Sequence, residues 1–170
     1  QGRNLVFEVV RILAEAGYDS RDDRAILQSF DMDSLIYARE ELECDLKLVQ
    51  LIGENRWRES PSDFDYLQTG QGLAAIADYA DGIGPWLPLA VHISGANAGT
   101  PTGLVAAAHR HGLLVHAYTL RADQLPRALP NMDTALKVLT ERVGLDGVFT
   151  DHPDQVIHAI QLRQATWRRR

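Results

Sequence analysis

The sequence predicts an α/β fold whose strands run parallel and are joined by crossover helices. Two observations carry this. Short β-branched or apolar runs alternate with longer amphipathic stretches, the order expected of repeated strand–helix–strand units. The strand runs are also apolar nearly throughout, as happens when both faces of a sheet are covered. Size and composition agree: 170 residues suit one domain, and 45% hydrophobic with 24% charged residues suits a packed core rather than a disordered chain. A doubly wound sheet and part of a barrel both satisfy this pattern.

Leu5–Ala16 is expected to be a helix, with Leu5, Val9, Ile12, Leu13 and Ala16 on one face and Gly17 just past its end. A buried strand follows over 24–30. Asp31 and Asp33 are placed to cap a helix over 34–43, whose Glu40, Glu41 and Glu43 form a solvated side. Lys47–Ile52 is the second strand. The polar segment from Gly53 to Gly70 is long for a loop in a compact domain, which marks it as functional or inserted. Residues 71–79 form a short helix, and 81–85 a brief strand stopped by Pro85.

Beyond that strand, Gly95–Gly103 is a glycine- and threonine-rich loop in which Thr102 can cap a helix over 103–111. Leu113–Thr119 is the clearest strand. A connector with Pro126 and Pro130 leads to a helix over 132–143, closed by Gly144. Residues 146–151 are the last strand, and Pro153 opens a final helix through Ala165.

Several function classes drop out early. A net charge of −6 argues against nucleic acid as a partner, and the basic tail Arg168–Arg170 reads as a solvated end. No apolar run reaches the ~20 residues that cross a bilayer. Cys44 is alone, so no internal disulfide forms. The start at Gln1, without a charged and then apolar leader, fits a processed, trimmed or partial chain. His109 and His111 lie two apart near a helix end and cannot face one metal ion. His92, His152 and His158 have no partner at ligand spacing, and Glu8 reads as an exposed helix residue. No nucleophile elbow, Walker loop or Cys-x-x-Cys is present. The Gly95–Gly103 loop could cradle a phosphate, although plain capping explains it as well.

Ligands of parallel α/β folds gather at the carboxyl ends of the strands. There the sequence offers Gln28, Ser29 and Phe30; Gln50; His116, Tyr118 and Thr119; and Phe149, Thr150 and Asp151. A glutamine in an apolar strand costs about 1–3 kcal/mol if its amide stays unpaired. Gln28 and Gln50 therefore need partners, in a ligand site or in a satisfied buried amide.

Five strand-end segments resemble one family in their order along the chain: Ile-Leu-Gln-Ser-Phe-Asp (26–31), Leu-Val-Gln-Leu-Ile (48–52), Tyr-Ala-Asp-Gly-Ile-Gly-Pro (79–85), Val-His-Ala-Tyr-Thr-Leu-Arg (115–121) and Asp-Gly-Val-Phe-Thr-Asp-His-Pro-Asp (146–154). They are similar to glycerophosphodiester phosphodiesterases of the secreted or periplasmic bacterial type. The resemblance implies the C-terminal part of a TIM-type (β/α)8 barrel, with the N-terminal half of the barrel as a missing partner. It implies hydrolysis of a glycerophosphodiester to glycerol 3-phosphate and an alcohol, with a divalent cation, calcium or magnesium, and hence a place in glycerol and lipid metabolism.

The family's chemistry uses a His-Arg, a Glu-x-Asp and a His-Asp motif early in the barrel and a Glu-x-Lys motif near its middle. None of these is read in this sequence, so no catalytic residue and no metal ligand is assigned, and the segment alone is expected to be inactive. By the resemblance, Phe30 and Tyr118 line the substrate mouth, Gln28 and Gln50 lie on matching strands, and the segments 53–70 and 86–103 lie over that mouth. Two other readings remain: a non-catalytic binding module derived from the same barrel, and a related phospholipase acting on larger lipid phosphodiesters, which would show an exposed apolar rim.

Overall fold

A computed structural model describes residues 4–167; the Arg168–Arg170 tail lies outside the described residues. The chain divides into two compact units, Gln1–Gly84 with Ala108–Leu114, and Pro85–Ala107 with Val115–Arg170. Among the described residues the sheet has five strands, and strand order follows chain order.

The first unit opens with α1, Leu5–Glu15. Its N-cap is Asn4, whose side-chain oxygen accepts from the Val6 and Phe7 N–H groups at 3.0 and 3.3 Å. The predicted apolar face exists, but no residue of α1 is buried; Leu5 is 75% and Ile12 54% exposed. β1 (Ile26–Ser29) is shorter than the 24–30 expected, and it pairs in parallel with β2 (Lys47–Ile52) from Ile26 opposite Lys47 to Ser29 opposite Gln50.

Between them lies α2, Met32–Glu40. Asp31 holds its N-cap position without capping it. Its carboxylate instead accepts from the Ser34 hydroxyl at 2.6 Å, and the Met32 N–H is taken by Ser62 Oγ at 2.9 Å.

Ser62 belongs to the segment expected to be a loop, which is in fact ordered. It contains a 3₁₀ turn, Asn55–Trp57, and a short helix α3, Phe64–Leu67, capped by Asp63. Asn55 organises it. Its amide donates to Asp63 and Asp65, each at 2.9 Å, and its carbonyl accepts from the Phe64 N–H at 2.7 Å. α4 (Gly70–Tyr79) follows so closely that a Cβ on Gly72 would lie 2.2 Å from the Tyr66 carbonyl oxygen. The core here is Leu35, Leu46, Leu48, Ile52, Phe64, Leu67, Leu73, Ile76 and Ile83, each fully buried.

Asp81 joins the strands of this unit at their amino ends. It stands just before β3 (Gly82–Pro85). Its N–H donates to the Leu48 carbonyl at 2.8 Å and its carboxylate accepts the Leu48 N–H at 2.9 Å, so it brackets β2. Its own carbonyl accepts the Leu114 N–H at 3.0 Å. Arg39, donating also to the Tyr79, Cys44 and Leu46 carbonyls, holds the carboxylate at 2.9 Å, and Arg21 holds its other oxygen. Gly82 is required beside it, because a Cβ there would lie 2.6 Å from the Leu114 carbonyl oxygen.

The second unit contains a short helix absent from the sequence expectation, α5 (Leu87–Ala90). The chain continues through α6 (Leu104–Arg110), β4 (Leu114–Leu120), a 3₁₀ turn (Ala122–Gln124), α7 (Met132–Lys137), a π-helical turn (Val138–Val143), β5 (Gly147–Thr150) and α8 (Pro153–Trp167). β4 pairs in parallel with β5, His116 opposite Gly147. Asp146 repeats the device of Asp81: its N–H donates to the Val115 carbonyl at 3.0 Å and its carboxylate accepts the Val115 N–H at 2.8 Å. Leu87, Val91, Val105, Ala117, Leu120, Leu129, Leu136 and Leu139 form this core.

Among the described residues no helix is long and apolar enough to cross a membrane. Asp81→Asn removes charge-assisted bonds to Arg39 and Arg21 from a site only 16% exposed, and should destabilise the chain by about 2 kcal/mol. A urea midpoint lowered at unchanged slope would show it.

Candidate functional site

Each unit carries polar groups at the carboxyl ends of its strands, where parallel α/β folds place their chemistry. In the first unit the central residue is Gln50, with no exposed surface at all. Its amide nitrogen lies within hydrogen-bond distance of the carbonyls of Ser29, Phe30 and Leu51, at 3.3, 3.0 and 3.0 Å, and its oxygen accepts the Tyr79 hydroxyl at 2.9 Å. Burial pushes the Tyr79 hydroxyl well above its usual titration range, with the charge of Asp33 adding to the effect. Gln50 is thus a satisfied buried amide that fixes the backbone where β1 leaves the sheet.

Phe30 is the residue so fixed. Its carbonyl accepts from Gln50 and from the Ser60 hydroxyl at 2.9 Å, and its ring meets Phe64 edge-on at 5.9 Å. The ordered 53–70 segment therefore seats Phe30 from the other side.

Gln28 does not join Gln50. The register sets Ser29 opposite Gln50 and Gln28 opposite Val49, so side-chain alternation puts the two glutamines on opposite faces. Gln28 lines a groove of about 160 Å³ with Leu5, Val6 and Val9 of α1 and Ser34 and Leu35 of α2.

In the second unit, Trp86 bridges to Tyr118 in a parallel pair. Just beyond lies a cavity of about 260 Å³, lined by Trp86, Ile93, Thr119, Arg121, Gln124 and Pro126 among others. Arg121 is the cation in this cavity. Its Nε lies 3.1 Å from Asp151 Oδ2 and 3.6 Å from Asp123 Oδ1. These contacts are ion pairs rather than aligned hydrogen bonds: Nε is shielded from solvent and has no hydrogen-bond partner among the described residues. An unmet donor of this kind costs about 1–3 kcal/mol. Asp123 in turn meets His152 at 3.4 Å, an interaction that holds the Asp123 carboxyl below its usual range. No sequence pattern pointed to Arg121, because a lone arginine after a strand has no diagnostic spacing.

His116 lies one step back on β4. A Cβ on Gly147 would approach its ring to 2.8 Å, so the glycine lets the imidazole lie over β5, where it meets Phe149 edge-on at 6.4 Å. Burial pushes its imidazole below its ordinary value, against the charge of Asp146.

The remaining sequence candidates fall outside these places. His92, His109, His111 and His158 are exposed, and Glu8 pairs with Arg11 on α1 at 2.9 Å. In the 95–103 loop the N–H groups of Ala98, Gly99, Thr100 and Thr102 are committed to the carbonyls of Gly95, His92, Asn97 and Ala90, which leaves plain loop closure rather than a phosphate cradle. Thr102 donates its hydroxyl to the Leu89 carbonyl at 2.6 Å.

Two strings match the family motifs by residue type, a point the sequence reading passes over: His109-Arg110 and Glu43-Cys44-Asp45. Both precede strands, at their amino ends, and His109 and Glu43 are exposed. Among the described residues no three His, Cys, Asp or Glu side chains form a group able to hold a metal ion, so these residues do not fit a divalent-cation centre.

Two outcomes are expected. Gln50→Leu leaves the Tyr79 hydroxyl and the Phe30 carbonyl short of a partner and should cost about 1–3 kcal/mol in urea unfolding, whereas Gln28→Leu should be near neutral. His116 is favoured neutral in the fold. Protonation therefore opposes folding, and stability should fall as pH drops through the ordinary imidazole value near 6.5 until the lower folded value is passed. An NMR titration of His116 would show a midpoint below that of an unfolded reference.

Comparison with known proteins identifies the family. The sequence profile of the glycerophosphoryl diester phosphodiesterase family matches residues 1–155. A glycerophosphodiester phosphodiesterase of Haemophilus influenzae is 31% identical over 169 residues, covering 90% of this chain and 46% of that protein. One from Treponema pallidum is 26% identical over 170 residues, covering 91% and 48%. The chain thus spans about half the length of these relatives. A crystal structure from Silicibacter pomeroyi DSS-3, provisionally named a glycerophosphoryl diester phosphodiesterase, shares the fold with a TM-score of 0.59 at 22% identity, over 94% of this chain and 44% of that one. The fold class is part of a TIM-type α/β barrel, and the chain belongs to the glycerophosphoryl diester phosphodiesterase family.

Proposed function

We propose that the chain contributes substrate-side structure to an enzyme that hydrolyses glycerophosphodiesters to glycerol 3-phosphate and an alcohol. The observation that carries this is the match over nearly the whole chain to bacterial proteins named for that activity. In this reading Phe30 and Tyr118 line the substrate, each at the carboxyl end of its own strand. Gln50 acts from behind Phe30 by holding its carbonyl. Gln28, in the groove under α1, contacts whatever packs there rather than the phosphodiester.

The segments 53–70 and 86–103 would lie over the mouth and select the alcohol. The catalytic histidines and the ligands of a calcium or magnesium ion would come from the other half of the barrel. What supports this is that no metal-holding group stands among the described residues. No step through a cation is derived from these side chains. A periplasmic or secreted setting and a role in glycerol and lipid metabolism belong to the same proposal.

The purified 170-residue chain, given glycerophosphocholine with calcium or magnesium, should release no glycerol 3-phosphate above the uncatalysed background. Metal-dependent turnover by these residues alone would overturn the division of labour. Phe30→Ala and Tyr118→Ala, introduced at the matching positions of the full-length Haemophilus relative, should raise KM or lower kcat.

A further inference from the structure

We propose that a cavity at the amino ends of the first unit's strands binds a small zwitterion, an α-amino acid whose carboxylate meets Arg21 and whose ammonium meets Asp78. The site lies at the opposite end of the strands from Phe30 and Gln50, and it does not rest on the function proposed above.

The cavity measures about 320 Å³, within the usual ~300–1,000 Å³ of ligand pockets. Its walls belong to one compact unit: Arg21, Arg39, residues 77–81 around the end of α4, and residues 111–113 just past α6. Two of its charged groups are already spent. Arg39 gives its three nitrogens to the Tyr79, Cys44 and Leu46 carbonyls and to Asp81. Asp81 accepts from Arg21 through one oxygen and from Arg39 and the Leu48 N–H through the other.

Three groups are not spent. Arg21 uses Nε on Asp45 at 3.2 Å and Nη1 on Asp81, which leaves Nη2 over. Its side chain is 49% exposed, so a ligand reaches it. The Asp78 carboxylate and the His111 ring, both exposed, make no bond among the described residues.

Charge decides the class of ligand. Arg21 and Arg39 balance Asp78 and Asp81 in the lining, so a simple anion meets two carboxylates and a simple cation meets two guanidinium groups. A dipolar molecule avoids both penalties when each end finds its opposite. Its carboxylate suits the donors of a guanidinium. Its ammonium suits Asp78, which stands in the last turn of α4 (Gly70–Tyr79), where the helix dipole also favours a cation. His111 is held in place by its N–H bond to the Ala108 carbonyl at 2.9 Å, and Gly112, at φ 75°, turns the chain beside it. Its ring offers a nitrogen to a hydroxyl on the ligand, and Ala77 and Ala80 add little bulk.

L-Serine added to the isotope-labelled 170-residue chain tests this by NMR, with acetate and ethylammonium as probes that carry one end each. Serine should shift the amide signals of residues 78–81 and 111–113 saturably, with a Kd on the order of 1 mM. Acetate and ethylammonium should bind about ten-fold more weakly or worse. Asp78→Asn should weaken serine by about ten-fold at an unchanged melting temperature, because Asp78 holds no partner in the fold. Arg21→Gln should weaken serine and acetate to the same degree, and its thermal melt separates lost binding from a loosened Asp81 network.

Absence of a saturable shift with serine overturns the proposal. So does acetate or ethylammonium bound as tightly as serine, since one end alone then accounts for the binding. Equal serine affinity in the wild type and a folded Asp78→Asn variant overturns it as well. The wild-type comparison of the three probes decides alone if a variant fails to fold. None of these outcomes bears on glycerophosphodiester turnover, which the full-length relative judges independently.

Discussion

The first unit depends on one carboxylate. Asp81 takes both backbone groups of Leu48, offers its carbonyl to Leu114 and gathers Arg21 and Arg39. β2, the start of β3 and the backbone at Leu114 are thereby indexed within the first unit by a single residue. Its burial is tolerable because each carboxylate oxygen has a cationic donor, and Arg39 is itself held by bonds to the Tyr79, Cys44 and Leu46 carbonyls. Asp146 does the same for Val115 in the second unit. Each aspartate is followed by a glycine that lets the neighbouring strand approach, Leu114 in one case and the His116 ring in the other. The Asp-Gly pair is therefore a structural unit of this fold, used twice.

This arrangement separates the two ends of the strands by task. The amino ends carry the Asp81 network, in which Arg21 and Arg39 spend their donors on carboxylate and carbonyl oxygens. The carboxyl ends carry groups held in place from behind. Phe30 is fixed through its carbonyl by Gln50 and Ser60, and the second-unit cavity opens where β4 ends at Leu120 and Arg121. A residue such as Gln50 can matter to ligand binding without touching a ligand, by setting the backbone that presents a neighbour.

Much of the fold was legible in the sequence because strand cores and helix faces are written in local patterns. β2 is found at its predicted limits, and the glycines past helix ends take positive φ as expected at Gly17 and Gly144. What escaped depends on distant partners. Asp31 has the right type and place for a cap, but its carboxylate is taken by the Ser34 hydroxyl, and the Met32 N–H goes to Ser62, thirty residues on. The order within 53–70 hangs on Asn55 and the Asp63 cap, a signal present in the sequence and overlooked because the segment is polar overall. Gln50 was recognised as needing partners, yet nothing local could name Tyr79 as one of them. Gln28 was grouped with it by residue type, whereas pairing register, invisible in one strand alone, sends it to the other face. Arg121 closes one of the family-like segments, but its pairing with Asp151 and Asp123 joins residues that no local pattern connects.

The exposed face of α1 has a consequence for how the chain opens. A segment leaves the fold easily when its departure uncovers little apolar surface. α1 has no buried residue, and its own ion pairs, Arg11 with Glu8 and Glu15, travel with it. Its amides should therefore exchange with solvent through a local opening well below the global unfolding free energy, while Leu48 and Ile83, fully buried, wait for the whole unit. The cooperative body of the first unit begins at β1, with α1 as an outrigger that opens first.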